Sequence, residues 1–145
     1  MFKHILVPID GSSLSYRPVA AAIEIARTQQ GKLTWLSVAE PRLFNGADAE
    51  AQCGGVLTER QNASAVESAL ARAMEAVRDG GVPCESVVAL SRVPCDVIVA
   101  TAQHRLCDAI FMATRGKMST LDTLFDKSTT QDVLQKTTVP VLVFP

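Results

Sequence analysis

Apolar residues along this chain concentrate in short runs, some interrupted by polar residues, separated by stretches where they recur every three or four positions. The runs lie at 2–8, 32–39, 84–90, 108–112 and 139–144. The continuous aliphatic run within 2–8 suits a strand covered on both faces, because neither face meets water. Between them, 15–29 reads as a helix with Val19, Ile23 and Ala26 on one face. Pro18 fits its first turn, where a missing N–H costs little. Ser15 is its expected N-cap and Gly31 its expected stop. Residues 59–79 read as a second helix, with Val66, Leu70, Ala73, Met74 and Val77 at helical spacing before Gly80-Gly81. Pro94 opens a helix over 94–105, with Asp96 well placed near its N-terminus. Ser128–Lys136 supplies the last helix.

Strands alternating with helices predict a doubly wound α/β fold, a parallel sheet with helices on both faces. Right-handed crossovers leave few topologies for it. Two connections are long. Residues 40–58 carry Pro41, Gly46, Gly54 and Gly55, and residues 113–127 form a loop. Loops of this length in small domains usually have a function or lack fixed structure.

At 145 residues, the length suits a single domain spanning 1–145. The net charge of −1, with no long run of one sign, argues against a nucleic-acid partner. A small anionic ligand needs only local donors and stays allowed. The opening Met1–Pro8 run is too short for a secretory segment, and no apolar stretch approaches a membrane span. The expected location is therefore the cytoplasm, with no membrane partner. Cys53, Cys84, Cys95 and Cys107 form no CxxC pair and no zinc spacing, which suits reduced thiols. A redox role for Cys53, in its long connection, is the sharper alternative. His4 and His104 are too few to complete a metal site.

Ligands of open parallel sheets bind beyond the carboxyl ends of the strands, where the strand order reverses. Two such ends carry chemistry. Val7-Pro8-Ile9-Asp10-Gly11-Ser12 puts a carboxylate directly after a buried strand, either to cap the turn or to accept from ligand hydroxyl and amino groups. Met112-Ala113-Thr114-Arg115-Gly116-Lys117 leads on to Lys127-Ser128-Thr129-Thr130-Gln131. Ser128 and Gln131 have capping-box spacing, which marks a helix start. Free N–H groups there suit phosphate. Ser128, Thr129 and Thr130 add hydroxyls, and Arg115, Lys117 and Lys127 add positive charge. A capped helix after a solvated loop is the plainer alternative. The Walker loop, the G-x-G-x-x-G turn and the G-x-S-x-G elbow are all missing.

Together these segments resemble the universal stress protein family. The resemblance rests on Ile5-Leu6-Val7-Pro8-Ile9-Asp10-Gly11-Ser12, on Cys107–Met112 leading to Thr114-Arg115-Gly116, and on Pro140-Val141-Leu142-Val143. It implies a five-stranded parallel sheet of order 3-2-1-4-5 with helices on both faces, the adenine-nucleotide alpha-hydrolase-like fold. It also implies a homodimer paired through the last strand, Val139–Phe144. Some members bind ATP or another adenine nucleotide on a loop of pattern Gly-x-x-Gly, nine residues, then Gly-Ser or Gly-Thr. By position, Pro8, Ile9 and Asp10 would line the adenine and ribose side, and Val38 would touch the base. Ala113, Gly116, Ser128 and Thr129 would surround ribose and phosphates, and Met112, Arg115, Lys127 and Thr130 are expected in the same cofactor site.

The loop departs from the pattern. Aligned from the last strand, its first glycine falls on Ala113, Gly116 is kept, and Lys127-Ser128 replaces Gly-Ser after ten residues rather than nine. Counting from Gly116 as the first glycine instead gives Ser119, Thr129 and Thr130, again with two glycines lost. Glycine permits positive φ and close approach of backbone to phosphate, freedoms that lysine lacks. Two expectations follow. One is a dimeric stress-response module holding ATP or AMP, with Mg in the case of ATP. The other is a nucleotide-free interaction member with the loop closed and no cofactor. An enzymatic role, at most a slow ATPase, ranks behind both, since Asp10 stands without an evident base or metal set.

Overall fold

The structure is a computed structural model that describes residues 1–10, 13–39, 68, 71, 74, 75, 77–79, 81–114 and 129–145. Five parallel strands form one sheet: β1 (His4–Ile9), β2 (Lys32–Ala39), β3 (Cys84–Leu90), β4 (Ala109–Ala113) and β5 (Val141–Phe144), in the order β3-β2-β1-β4-β5. This is the order that the family resemblance implied. Helices α1 (Arg17–Gln29), α2 (Pro94–His104) and α3 (Thr129–Lys136) accompany them. The described residues between 68 and 79 are helical too. Most of the predicted 59–79 helix and the whole 40–58 connection lie outside the described residues.

Strand alternation sorts the apolar residues into two cores. Ile5, Val7 and Ile9 join Leu33, Trp35, Phe111, Val19, Ala22, Ala26 and Val77 on the α1 face. Leu6 joins Leu36, Ile110, Met112, Cys95, Ile98, Ala102 and Val133 on the α2–α3 face. Phe111 lies 6.2 Å edge-on from Phe2 and 5.6 Å from Phe144, ring centre to ring centre, and so links β4, β5 and the start of the chain.

Several boundaries differ from the sequence expectation for identifiable reasons. Ser13–Tyr16 form a 3₁₀ turn ahead of α1, so Ser15 is not an N-cap; Tyr16 holds that position without a side-chain cap bond. The buried face of α1 is Pro18, Val19, Ala22 and Ala26, while Ile23 is only half-buried. The sheet takes the small Ala22 at close range, and helical phase moves Ile23 towards the edge. The last strand begins at Val141 rather than 139, although the Pro140 carbonyl already accepts from Ile110 N at 2.9 Å.

The stop of α1 divides between two residues. Gln30, with φ 52° and ψ 40°, takes the left-handed position. Gly31 then donates to the Ala26 carbonyl at 2.8 Å and lies against β1, where an added Cβ would come within 2.6 Å of the Lys3 carbonyl oxygen. Gly31 is needed for close approach rather than for helix termination. Gly31→Ala is expected to lower unfolding free energy by about 1–3 kcal/mol through overpacking on a backbone carbonyl. Urea titration would show a lower midpoint at unchanged slope.

A polar network binds the amino end of the sheet. Asp108 accepts from Lys3 N at 2.8 Å and from His4 N at 3.1 Å. Thr34 Oγ1 donates to Glu85 Oε1 at 3.0 Å, and Glu85 Oε2 accepts from Arg105 Nη1 at 2.7 Å. The one hydroxyl proton of Thr34 goes to Glu85, so its 2.8 Å contact with His4 Nε2 is donated by the imidazole. Burial, and then Lys32, hold the His4 pKa below its ordinary value against the opposing pull of Glu85 and Asp108. The unfolded chain therefore takes up this proton at a higher pH than the folded one. The His4 contribution to stability is complete above the ordinary imidazole range and is lost as pH falls through it. Denaturant titrations between about pH 5 and 7 are expected to show stability rising with pH, with a smaller slope for His4→Gln.

Candidate functional site

The sheet order places the reversal point between β1 and β4. From β1 the chain winds outward through β2 to β3, then crosses to the other side for β4 and β5. The loops leaving β1 and β4 thus part in opposite directions and open a crevice at their carboxyl ends. A cavity of about 290 Å³ occupies that position. Its inner wall is apolar: Pro8 from β1, Leu36 and Val38 from β2, Met112 from β4, and Pro94 and Ile98 from α2. Its mouth is polar, with Asp10 and Ser15 on the β1 side and Thr114, Thr129 and Thr130 on the β4–α3 side.

Local structure explains each position. In β2, Leu36 and Val38 are two apart and share the α2–α3 face. Their neighbour Ser37 pairs with Ile9 and points to the other core. Pro94 opens α2 at the helix start, and Ile98 follows one turn later on the same side. Thr130, buried in the first turn of α3, donates its hydroxyl to the Ala113 carbonyl at 3.2 Å, joining the helix start to the end of β4. The Thr114 amide is taken by the Phe144 carbonyl at 2.9 Å, which extends the β4–β5 ladder by one bond. A ligand at the mouth would therefore meet the Thr114 side chain rather than its N–H.

The two helices walling the cavity are joined by an ion pair. Lys136 Nζ, in the last turn of α3, donates to Asp96 Oδ1, in the first turn of α2, at 2.7 Å. That hydrogen bond holds the Asp96 carboxyl below, and the Lys136 amine above, their usual ranges. The pair is exposed and adds little stability on its own. Its charges do suit the helix ends they occupy.

Of the twelve residues expected at the site, Pro8, Ile9, Asp10, Val38, Met112, Ala113, Thr129 and Thr130 line this one cavity. Arg115, Gly116, Lys127 and Ser128 lie outside the described residues, as does the Ser128 half of the expected capping box. Sequence reasoning missed Ser15, Leu36, Pro94, Ile98 and Thr114. The two-residue period of β2 pointed to Leu36 once Val38 was chosen. Ser15 and Ile98 carried no such signal, because their approach depends on how the 3₁₀ turn and α2 pack against the sheet. Among the described residues, no group of three or more His, Cys, Asp or Glu could hold a metal ion. None of the helices described is long and apolar enough to cross a membrane.

Comparison with known proteins agrees with this architecture. The fold is the adenine-nucleotide alpha-hydrolase-like one. The chain matches the Universal stress protein family over residues 1–145. It is 30% identical over 143 residues to a universal stress protein of Thermus aquaticus, covering 99% of this chain and 98% of that one. A universal stress protein family structure from Burkholderia pseudomallei superposes with a TM-score of 0.76 at 20% identity, over 99% of this chain and 96% of the other. Two further neighbours were solved with ligands. One, a universal stress protein in complex with cAMP, has a TM-score of 0.70 at 20% identity over 99% and 96% of the two chains. The other, from Archaeoglobus fulgidus in complex with dAMP, has a TM-score of 0.66 at 22% identity over the whole of both. This chain belongs to the universal stress protein family.

Proposed function

We propose that this chain is a single-domain, cytoplasmic stress-response module that binds an adenine nucleotide in the crevice between Asp10 and α3. The observation that carries the proposal is the cavity at the strand-order reversal, with its apolar inner wall and polar mouth. A purine has two apolar faces, which suit Pro8, Val38, Ile98 and Met112. A ribose presents hydroxyls, which suit the Asp10 carboxylate. Phosphates belong at the α3 side, where Thr129 and Thr130 stand in the first turn and helix N–H groups favour anions. Arg115, Gly116, Lys127 and Ser128 are the residues proposed to complete that side, with Mg alongside a triphosphate. Neighbours solved with cAMP and dAMP support an adenine nucleotide as the class of ligand.

Calorimetry and thermal melts with AMP, cAMP, and ATP with and without Mg test the reading. At about a hundredfold excess over Kd, binding adds about 2.7 kcal/mol of stability, and the melting temperature is expected to rise by several degrees. Asp10→Ala removes a charged acceptor and is expected to weaken binding by about tenfold or more. Absence of any stabilisation at millimolar nucleotide would remove the proposal. It would favour the nucleotide-free interaction member, a reading supported by Ala113 and Lys127 standing where the family loop has glycines.

We also propose a homodimer formed through β5. That strand is at one edge of the sheet, and Val143 is 39% exposed on it. Unpaired edges of this kind invite a second strand. Sedimentation at micromolar concentration is expected to show a dimer that Val143→Lys dissociates. A monomer throughout would count against it.

A further inference from the structure

The sulfur atoms on the α1 face are the candidates that the nucleotide reading leaves unused. Cys84, the first residue of β3, places Sγ 3.5 Å from Met74 Sδ, with the thiol proton directed at the thioether. Met74 reaches it from the helical residues that cover this face, and both side chains are half-buried. Trp35 lies on the same face of the neighbouring strand. Its indole is fully buried, and Nε1 has no hydrogen-bond partner among the described residues.

Burial pushes the Cys84 thiol above its ordinary range, and the Trp35 indole N–H on the same face pulls the other way, towards the thiolate, without overcoming it. A buried N–H turned toward sulfur is poorly satisfied by a neutral thiol, which is a weak acceptor. It is well satisfied by a thiolate, as a charge-assisted bond. A thiolate on this apolar face needs a cation beside it. Two sulfurs 3.5 Å apart need part by only about 1 Å to hold a single ion between them at a metal–sulfur distance of about 2.3 Å, a movement that the unbranched Met74 side chain allows. Thiolate with thioether is the donor pair that selects soft metals such as Cu(I).

We propose that Cys84 and Met74 form a two-sulfur site for a soft monovalent cation of the Cu(I) class, with Trp35 as the outer-shell donor to the thiolate. Binding exchanges one ion for one proton: the Cys84 S–H bond breaks, a sulfur–metal bond forms, the proton goes to solvent, and the thioether lone pair freed from the S–H completes the pair. No electron is transferred. Zinc is disfavoured because its structural sites use four nitrogen or sulfur ligands, and no group of three or more His, Cys, Asp or Glu among the described residues could hold a metal. Cys84 is on the edge strand β3, so the ion arrives without opening the sheet. The site lies on the opposite face from the nucleotide cavity, and either can fail without the other.

Trp35 is the only tryptophan in the chain, so its emission reports on this site. The full-length protein would be titrated anaerobically with Cu(I) buffered by a competing chelator, and separately with Ag(I). One equivalent is expected to quench Trp35 and release one proton. Cys84→Ser is expected to abolish the quench. Met74→Leu preserves volume and apolarity, so the fold is retained. It is expected to weaken affinity by at least about tenfold, the loss that removal of even an outer-shell partner causes. If quenching persists at unchanged affinity in Met74→Leu, or in a folded Cys84→Ser, the ion is bound through Cys53, Cys95 or Cys107 and the assignment is overturned. Absence of any quench in the wild-type chain overturns it as well.

Discussion

The rest of the structure depends on the burial of the centre of β1. Ile5, Leu6 and Val7 have no exposed surface, and β1 is hydrogen-bonded to β2 on one side and β4 on the other. Until Pro8 at the cavity, neither an edge nor a face of this strand reaches water. Its odd-numbered residues therefore enter one core and Leu6 the other, so each layer of helices must cover its own side. A strand so placed is also where the winding direction reverses. The chain can leave it only at the carboxyl end, between loops that diverge. The cavity beside Pro8 and Asp10 follows from that arrangement.

The two faces answer the burial demand differently. The α1 face carries the large side chains, Trp35 and Phe111, with Phe2, Phe144, Met74 and Cys84 around them. The α2–α3 face uses smaller residues, Cys95, Ala102, Cys107 and Val133 among them. Close packing of small residues brings α2 and α3 down onto the sheet over most of its length. At the carboxyl end, Pro94 and Thr129 begin their helices, and no large side chain of the described residues fills the space between those starts and Val38. Thr130 bound to the Ala113 carbonyl keeps the α3 start at the end of β4. The cavity thus has a rigid wall on the sheet side and hydroxyl-bearing residues at its rim.

Much of this was legible in the chain. The β3 and β2 boundaries match the sequence expectation residue for residue, because apolar runs bounded by Gly31-Lys32 and Leu90-Ser91-Arg92 leave little freedom. Pro8, Asp10, Val38 and Met112 could be chosen because strand ends in a parallel sheet all point the same way. The helix starts were less legible. Ser15 has the chemistry of a cap, yet it is buried in a 3₁₀ turn, since Tyr16 and Pro18 pack on the first core and fix where α1 begins. Gly31 looked like a helix terminator, and Gln30 took that conformation instead.

The sequence by itself determined the strand and helix pattern, the parallel arrangement and the carboxylate after the first strand. Each depends on local periodicity or on one residue's own chemistry. The tertiary structure decided which residues meet. Ile98 and Ser15 share a cavity with Val38, Trp35 lies beside Cys84 and Met74, and Gly31 touches the backbone of Lys3. Those contacts join residues far apart in the chain through the packing of helices on a sheet, where volume and approach distance decide, and linear order records neither.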